Sequence, residues 1–349
     1  MQELLSRLKA LDPNASHSLR VIACFDELVR GGVNAQALLG AAASLSGCVA
    51  GYTRESPPHT ARVSPSGELI PGVGASAGAE PPPGALHADG LCVWLEREGA
   101  AQANDAMILE RLALALAIRH GRKHADPLRR LGALLEPDAT TEQRQLAAAK
   151  LGLSSNGRYR VVSLPMFATW THHPKMLEDV VPTRFGPMHV GVVGAEITHV
   201  GARPCGIGAA MRVDALDRSF ATALVSLRLC KLPGIPVVLA DDYGGLVELL
   251  AQCTIDRPLL DVEELEGVME HPWAAGTLDA LLRSASVREA ARLAKVHHST
   301  MQARIESIRD ALPFDPTDGI GRTRIGLAFL AWRLRHSSVL DLPPQAPLD

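Results

Sequence analysis

Ser286 to Leu312, SVREAARLAKVHHSTMQARIESIRDAL, decides how the chain is read. Val287, Ala290, Ala291 and Ala294 follow the i, i+3, i+4, i+7 spacing of one helical face, and Met301, Ile305, Ile308 and Leu312 form a second apolar face further on. Two amphipathic helices are therefore joined by the short turn Lys295-Val296-His297. Ala290 and Ala291 are small enough to let the second helix cross closely over the first, and Val296 can plug the space beneath the turn. Many such turns place glycine where Lys295 stands, because a left-handed backbone carries no Cβ penalty there; lysine costs roughly 1 kcal/mol. The second helix starts either at His298, capped by His297, or at Thr300, where Ser299-Thr300-Met301-Gln302 reads as a capping box.

With either start, His297, His298, Ser299, Thr300, Gln302 and Arg304 cluster near the first turns of a helix suited to a DNA major groove. Gln pairs bidentately with adenine, Ser and Thr reach bases or phosphates, and Arg reads guanine or clamps the backbone. Ten Lys or Arg and six Asp or Glu lie between Thr277 and His336, a net +4 in a chain whose total is −3. A basic end on an acidic body is what phosphate binding requires.

Leu281 to Leu312, followed by FDPTDGIGRTRIGLAFLAWRL, resembles the C-terminal helix-turn-helix of the bacterial PucR/CdaR-type transcription regulators. VHHST and the following Arg-x-Arg-x-x-Leu-Ala helix carry the match. The resemblance implies a regulator that binds a double-stranded DNA operator and controls catabolic or transport genes in response to a small-molecule effector. Arg322 and Arg324, in the loop and helix after Pro313, are further candidates for phosphate contact. Ile325, Phe329 and Trp332 close the core of this small domain.

The 349 residues, 47% hydrophobic and 21% charged, suffice for two or three cores. No signal peptide and no membrane-length apolar run occurs, so a cytosolic (cytoplasmic) protein is expected. Cys24, Cys48, Cys92, Cys205, Cys230 and Cys253 stand far apart with no C-x-x-C pair, and read as small hydrophobes rather than zinc ligands or disulfides. One of them acting as a redox sensor is a lesser alternative.

Residues 1–120 read as helices, short strands and the long helix from about Gln102 to His120. This α+β layout is similar to the GAF-like sensor that such regulators carry there. Leu91, Val93 and Leu95 alternate as in a half-buried strand. The glycines of GVGASAGAEPPPGAL resemble a phosphate loop only superficially, since no helix follows. DAMILERLALALAIRHG is apolar on most faces, so it is either covered by its own domain or paired with a second copy, and pairing in a homodimer or higher homo-oligomer is the expectation. His120 and His124 have metal-capable spacing but sit among Arg119, Arg122 and Lys123, as at a solvated helix end. Residues 121–154 read as a helical linker that restarts at Thr140-Thr141.

Residues 155–256 form an α/β unit. Within it PCGIGAAMRVDALDRSFATALVSLRLC resembles the degenerate GGDEF-like middle domain of the same regulators, a strand ending in Gly-x-Gly before a Ser-capped helix. Lacking a GGDEF tetrad, it is expected to have no cyclase activity, and the protein to be no enzyme and to need no cofactor or metal. Asp241-Asp242 reads as turn chemistry, His172-His173 as an exposed loop, and Gly206-x-Gly208 lacks the third glycine of a dinucleotide fingerprint. The fold class expected is multidomain α+β: GAF-like sensor, degenerate GGDEF-like α/β middle domain, and an all-α helix-turn-helix C-terminal domain at 272–338, with a flexible tail at 339–349. The alternative is an enzyme-like signalling protein or protein-binding adaptor whose C-terminal helices serve dimerisation.

Overall fold

Nine of the twelve residues of the helix Ala35–Ser46 are buried, and six of the twelve are alanine or glycine. A helix so small and so enclosed belongs between two layers. In the computed structural model, which describes residues 13–55, 58–71, 84–88, 90–121, 131–252 and 259–341, it lies between two sheets of one unit, residues 1–242 with 339–349. A Cβ at Gly40 would touch Val63 of one sheet and Val180 and Pro187 of the other. The protein is mixed α/β with a helical C-terminal unit, 243–338.

Helices α1 (Pro13–Gly31) and α2 (Ala35–Ser46) precede the first sheet. Its strands β1 (Val49–Arg54), β2 (His59–Val63), β3 (Leu86–Ala88) and β4 (Leu91–Glu96) run antiparallel in the order β2-β1-β4-β3. Leu91, Val93 and Leu95 point into the core with Ala50 and Tyr52, facing α1, α2 and α3 (Asp105–Gly121). The segment read as a linker contributes α4 (Gly132–Leu135) and α5 (Thr141–Lys150), the latter opened by a Thr140–Gln143 capping box. Leu131, Leu134, Leu135 and Ala148 are fully buried in the second core, so this stretch packs rather than merely connects.

The second sheet comprises β5 (Arg158–Pro165), β7 (Leu177–Thr183), β8 (Gly186–Gly194), β10 (Cys205–Ile207), β11 (Met211–Arg212) and β12 (Val237–Leu239), and β6 (Thr169–Trp170) pairs separately with β9 (Ala202–Arg203). The order is β12-β10-β5-β8-β7, with β11 on β5, and α6 (Leu216–Leu229) packs on β5 and β10. Gly206 and Gly208 let α6 approach. A Cβ on either would fall within 3.0 Å of the α6 backbone, at Ala223 and Leu227 or at Ser219. Ser219 does not cap α6, whose N-cap is Ala215 without a side-chain bond. Its Oγ instead accepts from Val161 N (2.9 Å) and donates to Ala209 O (2.7 Å), while Thr222 Oγ1 accepts from Ala209 N (3.0 Å).

His173 departs from the exposed loop expected of it: its side chain is only 8% exposed. Trp170 packs against its ring, and Nε2 faces Glu178 Oε2 at 3.2 Å and Glu27 Oε2 of α1 at 3.6 Å. His189 Nε2 meets the same Glu178 oxygen at 2.7 Å. Asp241, in a one-turn 3-10 helix, takes a bidentate pair from buried Arg160, which holds its carboxyl below the usual range. His120 is half-buried; its Nδ1 meets Arg54 Nη1 at 2.9 Å, and burial, then Arg54, lower its pKa. His124 lies outside the described residues.

Cys24, Cys48, Cys92, Cys205 and Cys230 are free thiols, and Cys253 lies outside the described residues. Burial pushes the Cys24 and Cys205 thiols far up. Both are therefore expected to resist iodoacetamide at pH 7.5 until the protein is unfolded, as mass mapping of labelled peptides will report. The tail begins by packing, with Leu340 against the second core; 342–349 lie outside the described residues. No helix among the described residues is long and apolar enough to cross a membrane.

Candidate nucleic-acid interface

The C-terminal unit contains α7 (Gly245–Gln252), α8 (Leu260–Met269), α9 (Ala274–Leu282), α10 (Val287–Leu293), α11 (His298–Ala311) and α12 (Gly319–Arg335). Ile325, Phe329, Leu278, Ile308 and Leu312 fill its main core. A second cluster lies under α10 and α11: Ala290, Ala291, Met301 and Ile305 with Ala280 and Leu281, sealed by Val287, Ala294 and Val296. The two alanines and Val296 thus occupy the places their sizes suit.

Ser286 caps α10 by accepting from Glu289 N, and the Glu289 carboxylate accepts from Ala285 N. The helix ends in a Schellman turn. Val296 N reaches back to Ala291 O (3.0 Å), Lys295 N to Arg292 O (3.2 Å), and Val296 packs with Ala291. The pivot is Lys295, at φ 54°, the one non-glycine residue with positive φ among those described. Glycine is the usual occupant of that position.

The recognition helix starts at His298 and not at Thr300. His297 is its cap, with Nδ1 accepting from Ser299 N (3.3 Å) and lying 2.7 Å from Ser299 Oγ. His297, Ser299, Thr300, Gln302 and Ala303 are exposed, and His298 partly so. Sequence reasoning passed over Ala303, whose methyl suits contact with a thymine methyl. Arg288, Arg292 and Lys295, on α10 and the turn after it, are exposed as well.

All three arginines expected to contact DNA are held within the unit. Arg304 Nη1 donates to Thr277 Oγ1 (3.3 Å), and its guanidinium lies 5.5 Å from the centre of Trp273, on which His271 stacks. Arg322 donates from Nη2 to Leu281 O at 2.8 Å and also to Ser284 O, satisfying carbonyls at the end of α9. Arg324 makes a bidentate pair with Asp261 (2.7 and 3.1 Å) and lies 3.9 Å over Phe314. These contacts brace the helix-turn-helix from behind. The unit is also not basic as a whole. Residues 243–338 carry eleven Lys or Arg and thirteen Asp or Glu, a net −2. Acid gathers on α8 at Asp261, Glu263, Glu264 and Glu266, so the charge is polarised across the unit.

A Ser-capped helix, a tight left-handed turn and a second helix with an exposed polar first turn define a helix-turn-helix DNA-binding domain. Residues 275–331 match the PucR C-terminal helix-turn-helix domain family. This segment is a PucR-type domain. Among solved structures the chain is similar to a regulator of polyketide synthase expression from Bifidobacterium adolescentis, at 16% identity over 60% of this chain and 98% of that one, with a TM-score of 0.25 that is too low to bear on the fold. No curated protein matches the chain.

Proposed function

We propose that the protein is a cytoplasmic transcription regulator that binds a double-stranded DNA operator as a homodimer or higher homo-oligomer and answers to a small-molecule effector, controlling catabolic or transport genes. The observation that carries this reading is the PucR-type helix-turn-helix with its recognition helix exposed from His297 to Ala303. His297, His298, Ser299, Thr300 and Gln302 face the bases, while Arg304, Arg322 and Arg324 fix the helix that presents them. Two copies would set two recognition helices about 34 Å, or a multiple of it, apart.

For dimerisation, the support is the outer side of α3. Leu114 is 50% exposed there, and Ile118 with Phe25 and Val29 lines a groove of about 270 Å³ rimmed by Asp26, Arg30 and Arg111. Acid and base side by side suit a two-fold contact, in which each copy meets the same surface of the other. The GAF-like role of 1–120 rests on helices packed against an antiparallel sheet, and the degenerate GGDEF-like role of 155–256 on the α6-bearing sheet. A non-catalytic reading of that sheet is supported by Gly206 and Gly208 serving α6 and by Asp241 serving Arg160.

Selection from randomised duplex DNA with the full-length protein at near-physiological salt tests the proposal. A motif of two half-sites is expected, and a folded protein that enriches nothing, with or without cell metabolites, would count for the adaptor alternative. Gln302→Ala is expected to relax preference at one base position, costing about 1–3 kcal/mol there and leaving other positions alone. An unchanged motif from the variant would move the reading helix elsewhere.

A further inference from the structure

Lys295 holds a left-handed backbone conformation that costs a lysine and costs glycine nothing, at a turn whose hydrogen bonds glycine would form equally well. Packing does not account for the lysine: the residue is exposed. Ion pairing does not either, because no carboxylate lies within 4.0 Å of its ammonium among the described residues. A strained position occupied by a long cation with no partner points to a partner outside the chain.

The neighbours point the same way. Arg288, Arg292 and Lys295 stand at i, i+4 and i+7, on one side of α10 and its extension, and all three are exposed. Arg292 is 79% exposed with only a loose 3.7 Å approach to Glu289, and Arg288 makes no ion pair among the described residues. The stripe ends two residues before the cap of the recognition helix. When that helix enters a major groove, the helix before it crosses the sugar-phosphate backbone.

We propose that Arg288, Arg292 and Lys295 form a phosphate-binding stripe along α10, and that the left-handed strain at Lys295 is kept because it aims this ammonium at the backbone of the DNA. The inference rests on the DNA-binding reading above and assigns which residues supply its sequence-independent part. Each phosphate neutralised contributes about 0.9 to the slope of log K against log salt, or roughly five-fold in affinity at 0.15 M salt.

Four full-length proteins decide it: wild type, Lys295→Gly, Lys295→Gln and Lys295→Arg. Each is measured for thermal unfolding and for affinity to the selected operator and to unrelated duplex across a salt series. Lys295→Gly is expected to raise the melting temperature of the C-terminal unit by a few degrees, yet to bind both DNAs about five-fold more weakly with a slope shallower by about 0.9. Lys295→Gln keeps the strain and loses the charge, so it should bind like Lys295→Gly and melt like wild type. Lys295→Arg should restore affinity and slope. Wild-type affinity and slope in Lys295→Gly and Lys295→Gln would overturn the stripe while leaving DNA binding standing; a folded wild type that binds neither DNA would sink the underlying reading and the stripe with it.

Discussion

Gly208→Ala is expected to destabilise the larger unit by about 3–5 kcal/mol. The new Cβ would sit within 3.0 Å of Ser219 C, O and Oγ, and two of those atoms are backbone of α6, which cannot swing aside as a side chain can. Overpacking of this kind costs typically 1–3 kcal/mol. Pushing α6 back also stretches the bonds of Ser219 and Thr222 to Ala209 and of Ser219 to Val161, each contributing about 1 kcal/mol. Set against a typical domain stability of about 5–15 kcal/mol, the loss is large. Gly132→Ala is the control: nothing lies within 4 Å of its would-be Cβ, and it opens a helix. Urea unfolding followed by circular dichroism should show the Gly208→Ala transition well below wild type and the Gly132→Ala transition at or slightly above it. If Gly208→Ala unfolds with wild type, the close approach of α6 to the strand is wrong.

The same glycines mark where sequence reading ran short. Local periodicity made β5, α6 and the helix-turn-helix legible because each depends on spacing within ten or twenty residues: RYRVVSLP is β5 residue for residue. The recognition helix could be placed but its first residue could not, since both candidate caps offered suitable side chains, and only the path of the backbone distinguishes them. What a glycine is for depends on what crosses it, and α6 crosses Gly206 and Gly208 from ten or more residues away. Arg322 and Arg324 read as phosphate ligands in a loop, whereas they stand in the first turns of α12 and their partners, Leu281 O, Ser284 O and Asp261, lie 38 to 63 residues distant. His173 misled for the same reason. Followed by Pro174, it looks like a surface turn, and nothing near it in the chain predicts that α1 brings Glu27 and closes the site from 146 residues away. The stripe on α10, by contrast, is local: Arg288, Arg292 and Lys295 show it as i, i+4, i+7 basic spacing within eight residues.

Glu178→Ala is expected to cost about 3–5 kcal/mol, the sum of a buried imidazole left without its acceptor, about 1–3 kcal/mol, and the cavity that the lost side chain leaves. The Glu178 side chain is 2% exposed and carries two imidazoles: His189 at 2.7 Å and His173 at 3.2 Å. Removing it leaves the His189 ring without its acceptor and the His173 ring without its nearest carboxylate, under Trp170, and opens a cavity beneath Gly31, whose lack of a Cβ is what gives the carboxylate room. Glu27 cannot substitute. It stands 3.6 Å from His173 Nε2 and is already shared with Arg30, bonded through Nη1 to both its oxygens. Glu178→Gln keeps the shape and an acceptor but not the charge, so its cost should fall to about 1–3 kcal/mol. Glu27→Ala should cost less again, because its carboxylate is partly exposed and water can replace it. Urea midpoints that rise in the order Glu178→Ala, Glu178→Gln, Glu27→Ala are therefore the signature of a carboxylate held by two histidines. Hydrogen exchange adds the structural half of the test: α1 meets the second sheet through this group, and so residues 18–31 should lose protection in Glu178→Ala before the strands do. Equal midpoints for all three variants, or undiminished protection in α1, would mean that the two histidines hold the helix without the carboxylate, and that the anchoring of α1 lies in its apolar face, at Phe25 and Leu28.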